Sequence, residues 1–426
     1  MNAITQTLSP ALKPKFENRE RAARRVTTMP GAARRLLDCL AALRFGGLDL
    51  ALPDGSRRRV GDPQATLQAS LIVHDWTMFE DVLARGDIGF GESYLDGAWD
   101  SPDLAALLTL LNRNRETLAE AIHGRWWSLL IERLRHRRNA NSRAGSRRNI
   151  MAHYDLGNNF YAAWLDPTMS YSSALFADEA ATLADAQLAK YRRIVTELGI
   201  RPGDTVLEIG CGWGGFAEVA AREAGARVTG ITLSPAQLAY ANERMQRAGL
   251  ADRVSLELTD YRDLPKRLSD DNARFDFVVS IEMFEAVGEK WWPTYFATVQ
   301  ALLKPGGQAM IQSITIDHAL FASYRQGTDF IQQHVFPGGM LPSPETFRQQ
   351  AARAGLKTTD SFAFGFDYAR TLALWQQEFN ARWDTIAAHG FDLRFQRLWN
   401  FYLAYCQAGF ATGSTDVMQF RLSREK

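Results

Sequence analysis

The sequence contains few of the residues that build disulfide frameworks or metal sites. Its 426 residues include only three cysteines, Cys39, Cys211 and Cys406, which lie far apart and form no C-x-x-C pair. Such spacing excludes a disulfide framework and does not fit a zinc site, so we predict no metal. Three isolated thiols suit the reducing conditions of the cytoplasm.

Long apolar runs are also missing. No run approaches the roughly twenty apolar residues that a membrane-spanning helix requires. Residues 1–25 lack the apolar segment of a signal peptide. We therefore expect a cytoplasmic protein that meets a membrane only peripherally, at its inner face.

The formal net charge is only +1, but the charge is unevenly distributed. Residues 1–150 contain 23 Lys and Arg against 17 Asp and Glu. Within them, residues 123–148 combine Trp126 and Trp127 with eight arginines, in a pattern that begins as an amphipathic helix. Two interpretations stay open: a solvated basic linker, or a helix lying on an anionic membrane surface. Nucleic acid is not predicted, because no zinc-finger or RNA-binding signature accompanies the arginines.

Composition and periodicity divide the chain into a polar arm (1–30), a small α+β unit (31–122), the basic helix and linker (123–148) and a large α/β domain (149–426). Aromatic insertions at about 316–356 and 365–412 interrupt the last domain and are expected to build the acceptor pocket. Alternating strands and helices predict a doubly wound, Rossmann-like sheet with its ligand at the carboxyl ends of the strands. Strands are predicted at Thr205–Ile209, Arg227–Ile231, Val254–Leu258, Phe275–Ile281, Gln308–Thr315, Lys357–Phe364 and Val417–Leu422.

The stretch VLEIGCGWGGF (residues 206–216) has the form of a strand that runs into a glycine-rich turn and a helix. A G-x-G-x-x-G pattern is weak evidence alone, and a dinucleotide site also needs an acid at the end of the second strand. That strand, ARVTGITLS (residues 226–234), contains no acid. The acid stands in the first strand, at Glu208, as in methyltransferases, where it can face the positive end of S-adenosylmethionine. We therefore expect S-adenosylmethionine as the cofactor.

Eight ordered motifs extend this interpretation over nearly the whole chain, and together they resemble those of the cyclopropane-fatty-acid synthases. That family adds a methyl carbon from S-adenosylmethionine to an acyl double bond of a phospholipid. The motifs are GFGESYLDGAWD, HYDLGNNFYAAWLDPTMSYSSALF, VLEIGCGWGGF, GITLSPAQ, DYRDL, SIEMFEAVG, FIQQHVFPGGMLPS and FGFDYARTLALW.

The resemblance implies a set of cofactor-binding residues. It places Tyr171 and Ser172 in a helical flap over the methionine end, and the loop Gly210, Gly212 and Gly214 along the methionine and ribose. In place of an acid that binds the ribose, it implies hydrogen bonds from residues around the end of the second strand. At the adenine it implies two residues of the motif DYRDL. These residues are Thr232, Leu233 and Gln237 at the ribose, and Asp260 and Tyr261 at the adenine.

The implied chemistry passes through a carbocation on the acyl chain, which requires a dry pocket, and Phe284, Phe364, Phe366 and Tyr368 are expected to supply aromatic faces. A base must then remove a proton. In the family this base is a bicarbonate ion, and the resemblance implies that Glu285, Tyr368 and the Ile314 amide hold it. At two further positions that hold the ion, the family has a cysteine and a histidine, whereas this chain has Ser173 and Gln312. Both can still form hydrogen bonds, so the use of bicarbonate stays open.

We therefore expect a methyltransferase that gives a cyclopropane fatty acyl phospholipid. One alternative is C-methylation, which gives a methylene- or methyl-branched chain and calls for a partner reductase. A second alternative is a lipid-binding protein without catalysis. The resemblance also makes a homodimer plausible.

Overall fold

The computed structural model describes residues 29–122, 156–267 and 274–425, which fall into two compact units. Most of the predicted polar arm and all of the basic segment 123–148 lie outside the described residues. The described part of the first unit consists of residues 29–122 and Leu393–Phe401, and the second unit contains the rest. None of the helices in the described ranges is both long and apolar enough to cross a membrane.

The first unit is a small α+β structure. Its four-stranded sheet has the order β2-β1-β3-β4, with β1 parallel to β3 and antiparallel to β2. The helix α1 is amphipathic and buries Ala33, Leu36, Leu37 and Leu40. The elements are α1 Gly31–Leu40, β1 Gly47–Ala51, β2 Arg57–Gly61, β3 Gln68–Val73, α2 Thr77–Leu95, β4 Trp99–Asp100, α3 Leu104–Arg113 and α4 Arg115–Ile122.

The segment Leu393–Phe401 counts with the first unit, although the sequence analysis assigned it to the large domain. Arg397 explains this, because its guanidinium donates hydrogen bonds to the carbonyl oxygens of Tyr94 (2.6 Å) and Trp99 (2.8 Å). The Phe401 ring lies edge-on to the Trp99 ring at 6.4 Å. These partners are distant in sequence, so helical periodicity alone could not reveal them.

The second unit contains a seven-stranded sheet with the order β10-β11-β9-β8-β5-β6-β7. Strands β5 to β9 are parallel to their neighbours among themselves, and β11 pairs antiparallel with both β9 and β10. The predicted doubly wound sheet with its closing pair is confirmed. The strands are β5 Thr205–Ile209, β6 Arg227–Thr232, β7 Val254–Leu258, β8 Phe275–Ile281, β9 Leu303–Ile316, β10 Leu356–Ala363 and β11 Thr415–Arg424.

Helices cover both faces of this sheet because its central strands are apolar on both sides. Leu207 and Ile209 of β5 join one core cluster, and Val206 joins the other. The described helices are α5 Asn158–Ala162, α6 Leu183–Leu198, α7 Gly215–Glu223, α8 Pro235–Arg247, α9 Trp292–Leu302, α10 His318–Gln326, α11 Phe330–His334, α12 Pro344–Arg353, α13 Gly365–Ala381, α14 Trp383–Ala387 and α15 Leu393–Ala411.

One buried amide ties the first unit together and yields a stability prediction. Asn114 is 1% exposed; its Oδ1 accepts from the backbone N–H of Arg44 (2.8 Å) and Phe45 (3.1 Å), and its Nδ2 donates to the carbonyls of Phe45 (2.8 Å) and Leu110 (2.9 Å). Asn114→Ala leaves these backbone groups without their partner. We therefore expect the free energy of local unfolding at residues 44–47 to fall by about 2–3 kcal/mol.

Hydrogen exchange at residues 44–47 measures this loss. The matched control is Asn242→Ala, which removes one exposed hydrogen bond on α8 and should change stability by less than about 0.5 kcal/mol. Equal protection of residues 44–47 in the Asn114→Ala variant and the unmodified protein would contradict the assignment.

Candidate active site

A cavity of about 160 Å³ lies at the carboxyl ends of β5, β6, β7 and β8, where the strand order changes direction. The loop between β5 and α7 follows its wall, and Gly210 (φ +85°) and Gly212 (φ +52°) adopt backbone angles that favour glycine. All of the predicted cofactor residues line this cavity except Gly214.

Gly214 lies against helix α8. It precedes α7 with φ +82°, and a Cβ atom there would lie 3.2 Å from Ala241 Cβ and Met245 Cε of α8. The sequence pattern could not separate this glycine from its neighbours, because both roles require a residue without a side chain.

Polar side chains replace an acid at the end of β6. Thr232 donates a hydrogen bond from Oγ1 to Gln237 Oε1 (2.9 Å), and Ser234 caps α8 by accepting from the Gln237 N–H (3.3 Å). Thr232 and Gln237 are both 6% exposed. The cap fixes the first turn of α8, so the amide group of Gln237 is held at the cavity wall.

Arg262, which sequence reasoning missed, also lines this cavity. Its guanidinium donates to both carboxylate oxygens of Asp260 (2.9 and 2.5 Å) and lies 5.4 Å from the ring centre of Trp291. The pair orients the Asp260 carboxylate. The D-x-R spacing in DYRDL was an available signal.

Glu208 gives the clearest indication of a cationic ligand. It is 3% exposed, and its Oε2 has no hydrogen-bond partner among the described residues. Burial raises its pKa well above the usual value, against the opposing effect of Arg244. A buried carboxylate oxygen without a donor at a cavity wall fits a positively charged group, and S-adenosylmethionine carries a sulfonium and an ammonium. The residues present therefore fit this cofactor.

The predicted helical flap is wrong in its conformation. Tyr171 and Ser172 do line the cofactor cavity, but the chain between α5 and α6 is irregular at residues 170–176. Met169 has φ +52°, and the Ser170 hydroxyl is hydrogen-bonded to the Tyr191 hydroxyl of α6 (2.8 Å). A residue in the left-handed region cannot continue a right-handed helix, so Met169 marks the start of the irregular course.

A second cavity, of about 210 Å³, adjoins the first and shares Tyr171, Glu282 and Ala286 with it. Its wall is mainly apolar and aromatic, and the two insertions predicted to build the acceptor pocket supply most of it. The lining includes Tyr324, Ile331, Phe336, Met340, Leu341, Tyr368, Leu372, Tyr402, Tyr405 and Phe410.

The aromatic residues predicted to face this cavity are largely different from those that do. Phe284 is fully buried and packs against Trp292 and Phe347, whereas Phe366 is 75% exposed. Neither lines the cavity, nor does Phe364, and only Tyr368 of the predicted group does. Their positions relative to β8 and α13 decide this, and a run of aromatic residues does not reveal which face each occupies.

Glu282 is the centre of the hydrogen-bond network between the two cavities. Its Oε1 accepts from the Ser173 N–H (2.8 Å) and from Gln312 Nε2 (2.7 Å), and its Oε2 accepts from the Tyr368 hydroxyl (2.6 Å). Ser173, Gln312 and Tyr368 are three of the groups expected to hold a bicarbonate ion. A carboxylate of the chain itself occupies these donors, so they do not fit an additional ion.

The backbone of Glu282 is unusual. It has φ +50°, one of two positive values among the described residues other than glycine. Such strain concentrates at functional sites. The residue follows directly after β8, and its N–H donates to the Gln312 carbonyl of β9 (2.9 Å). Sequence reasoning assigned the nearby Glu285 instead, although an acid at the carboxyl end of a parallel strand was visible in SIEMFEAVG.

Ser173 contributes its backbone rather than its side chain, because its hydroxyl donates to the Ala174 carbonyl (2.9 Å). Gln312 is oriented in turn by Gln419, whose Nε2 donates to Gln312 Oε1 (3.0 Å). Gln419 Oε1 accepts from Arg193 (2.7 Å). Ser173 and Gln312 are fully buried behind the cavity wall.

Glu285 lies apart from this network but lines the same cavity. The Ile314 N–H, which the resemblance assigned to a bicarbonate ion, donates to Oε1 of Glu285 itself, and Oε2 of Glu285 has no partner among the described residues. Burial, and then the charge of Glu282, raise the pKa of Glu285 to about 8. Burial also raises the pKa of Glu282, but Lys190 and the hydrogen bonds from Tyr368, Ser173 and Gln312 oppose that rise. Of the two carboxyl groups, Glu282 is the one equipped to carry the charge.

Comparisons with known proteins show which family the chain is similar to. The model of the mycolic acid cyclopropane synthetase family matches residues 141–420. Tuberculostearic acid methyltransferase UfaA1 of Mycobacterium tuberculosis is 40% identical over 392 residues, covering 89% of this chain and 88% of that protein. The cyclopropane-fatty-acyl-phospholipid synthase of Escherichia coli K12 is 36% identical over 363 residues, covering 84% of this chain and 88% of the relative.

A solved structure extends the similarity to the fold. The crystal structure of mycolic acid cyclopropane synthase CmaA1, in complex with S-adenosylhomocysteine and CTAB, covers 65% of this chain and 98% of its own. Its TM-score is 0.59 at 30% sequence identity.

The glycine loop yields a test of cofactor binding. A Cβ atom at Gly212 would meet nothing within 4 Å, so a valine side chain there would extend into open space beside the cavity wall and would strain the backbone at φ +52°. We expect Gly212→Val to weaken S-adenosylmethionine binding about a hundredfold or more, measured by calorimetry.

Gly199→Val is the matched control. Gly199 also has a positive φ (+67°) with nothing within 4 Å of its Cβ position, but it ends α6 outside the cavity. The Gly199→Val substitution imposes a similar backbone strain and should leave the affinity for S-adenosylmethionine unchanged. Unaltered affinity in a folded Gly212→Val variant would refute the placement of the cofactor.

Proposed function

This chain belongs to the mycolic acid cyclopropane synthetase family and is an S-adenosylmethionine-dependent methyltransferase, and we propose that it methylates the double bond of an unsaturated phospholipid acyl chain. We further propose that Glu282 is the base and that the product carries a methylene branch. The observation that carries this proposal is the Glu282 carboxylate, which accepts hydrogen bonds from three of the five residues expected to hold an ion.

The shape and lining of the second cavity support an acyl chain as the acceptor. Its wall is apolar apart from a few groups that include Glu282 and Glu285. Because Tyr171, Glu282 and Ala286 line both cavities, a double bond in the second cavity can approach a methyl donor in the first at this shared wall. The base is therefore at the place where the reaction occurs.

S-adenosylmethionine supplies an electrophilic methyl group when it is bound. One alkene carbon would take that methyl group, whose bond to sulfur breaks with the electron pair left on the sulfur, and the other alkene carbon would become a cation. A hydride shift from the methylated carbon moves the positive charge to that carbon. Loss of a proton from the new methyl group to the Glu282 carboxylate then leaves an exocyclic double bond. If the proton leaves the new methyl group before the hydride shift, the electron pair of that C–H bond forms a bond to the cationic carbon and closes a cyclopropane ring.

The cavity wall is suited to protect the cation. Tyr368 stacks on Phe410 at 4.4 Å, and Tyr171 donates or accepts a hydrogen bond with Tyr402 at 2.8 Å. Aromatic faces attract a cation without attacking it, and they exclude the water that would trap it as an alcohol. Glu285, with its pKa raised to about 8, adds a largely neutral carboxyl group near pH 7.

Two arguments support a branched product over a cyclopropane ring. UfaA1, the 40% identical relative, is a tuberculostearic acid methyltransferase, and its product class is methyl-branched. In addition, a side-chain base is fixed in position, unlike a bound ion, and its placement selects when the proton leaves. A methylene branch becomes a methyl branch only after a reductase adds two hydrogens, so such an enzyme is the expected partner.

Glu282→Gln tests the base. The amide keeps the shape but cannot accept the proton, so we expect turnover to fall about a hundredfold or more while cofactor affinity is retained. Glu285→Gln is the matched comparison, and because that carboxyl group is already largely neutral near pH 7, its loss should be smaller. The reverse order of the two losses would transfer the role of base to Glu285.

Bicarbonate dependence and product structure test the rest of the proposal. We expect turnover of the unmodified enzyme to be the same in decarbonated buffer, whereas Glu282→Gly should regain turnover as bicarbonate is added. Glycine adopts φ +50° without strain, and the substitution frees the three donors.

The methylene and cyclopropane products have equal mass, so NMR of the isolated lipid separates them. A bicarbonate-dependent unmodified enzyme that makes only cyclopropane would contradict both points.

A further inference from the structure

Lys190 is a buried lysine that the reaction described above does not use. It lies on α6, is 0% exposed and does not line either cavity. Complete burial of an ammonium group is costly unless it is paired and hydrogen-bonded. Its surroundings therefore indicate what it does.

The ammonium group of Lys190 holds the segment that separates the cofactor from the base. Its Nζ donates to the Ser172 hydroxyl and to Gln187 Oε1 (2.6 Å). Gln187 Nε2 in turn donates to the Ser172 carbonyl (2.9 Å). Ser172 lines the cofactor cavity, and the next residue, Ser173, donates its N–H to Glu282. One lysine thus fixes a residue that touches the cofactor cavity on one side and adjoins the base on the other.

Three carboxylates from other elements face this lysine, and the Tyr191 ring lies 4.5 Å from its Nζ. They are Glu282 after β8, Asp166 in the loop after α5, and Glu208 on β5. Burial lowers the pKa of Lys190 to about 8, and the three carboxylates limit that decrease.

The charged groups around Glu282 differ in how strongly they act on its carboxylate. Among the groups that oppose the rise in the pKa of Glu282, the charge of Lys190 is the largest, ahead of the hydrogen bonds from Tyr368, Ser173 and Gln312. Glu285 is the other acid beside Glu282. Arg244 acts on Glu208 rather than on the base.

We propose that Lys190 is a positioning residue of the methyl transfer, which fixes Ser172 and keeps the Glu282 carboxylate ionised. The inference rests on the proposed role of Glu282 as the base. Glu282 can accept a proton only when it is deprotonated, so activity rises with pH through its pKa. Removal of the positive charge of Lys190 raises that pKa and moves the acid limb of the pH profile to higher pH.

The experiment compares the pH dependence of single-turnover methyl transfer in the full-length enzyme and its variants, from about pH 5 to pH 10. Lys190→Met removes the charge and the hydrogen bonds, and we expect its acid limb to shift upward by about one pH unit or more. Lys190→Gln keeps a donor for Ser172 and retains polarity in the same space, so it provides the same test if the methionine variant does not fold. Gln187→Leu removes the second anchor of Ser172 and one acceptor of Lys190 Nζ but keeps the lysine, so its limb should move less than in the two lysine variants.

Each outcome separates this inference from the proposed function. A loss of turnover in Glu282→Gln, together with an unmoved acid limb in Lys190→Met or Lys190→Gln, would overturn the role of Lys190 alone. Full turnover in Glu282→Gln would overturn the base itself. A lower rate at all pH values in the lysine variants, without a shift of the limb, would show that Lys190 serves only the structure. An equal shift in Gln187→Leu would also overturn the electrostatic role.

Discussion

A carboxylate that must remain charged inside an apolar pocket is the constraint around which this site is arranged. Burial disfavours the ionised form of Glu282, and the charge of Lys190, followed by three hydrogen-bond donors, opposes that effect. Those donors come from separate parts of the second unit: the Ser173 N–H from the chain before α6, Gln312 from β9 and Tyr368 from α13. The residue can therefore work only in the assembled sheet.

The same arrangement explains why the two cavities adjoin. The parallel order of β5 and β8 brings the glycine loop and Glu282 to one edge of the sheet, and the long strand β9 brings Gln312 beside the end of β8. Helices α13 and α15 supply much of the aromatic wall of the second cavity. A cation can form in such a pocket because the surrounding faces are apolar, while the charged group that ends its lifetime is already in place.

The two glutamates of SIEMFEAVG show how environment assigns different states to one residue type. Glu282 has three donors and the favourable charge of Lys190, whereas the Ile314 N–H donates to Glu285 and the charge of Glu282 acts against its ionisation. Like charges at close range in a buried site cannot both ionise easily. Burial, and then the charge of Glu282, raise the pKa of Glu285 to about 8, whereas Lys190 and three hydrogen bonds oppose the rise in the pKa of Glu282. The positive φ of Glu282 is the local strain that accompanies this placement.

The sequence alone determined the fold class, the strand positions and the glycine loop, because apolar periodicity and turn residues are local signals. It also determined the cofactor, since Glu208 stands in the first strand and no acid ends the second. The motif resemblance named Ser173, Gln312 and Tyr368 together, and the structure brings all three to the Glu282 carboxylate. Only the tertiary structure decided that Glu282 rather than an ion meets their donors, that Gly214 packs against α8, and that Phe284 faces the core. The contacts of Glu282 depend on strand pairing and on backbone angles, which bring together residues 30, 86 and 109 positions apart, and no local pattern encodes them.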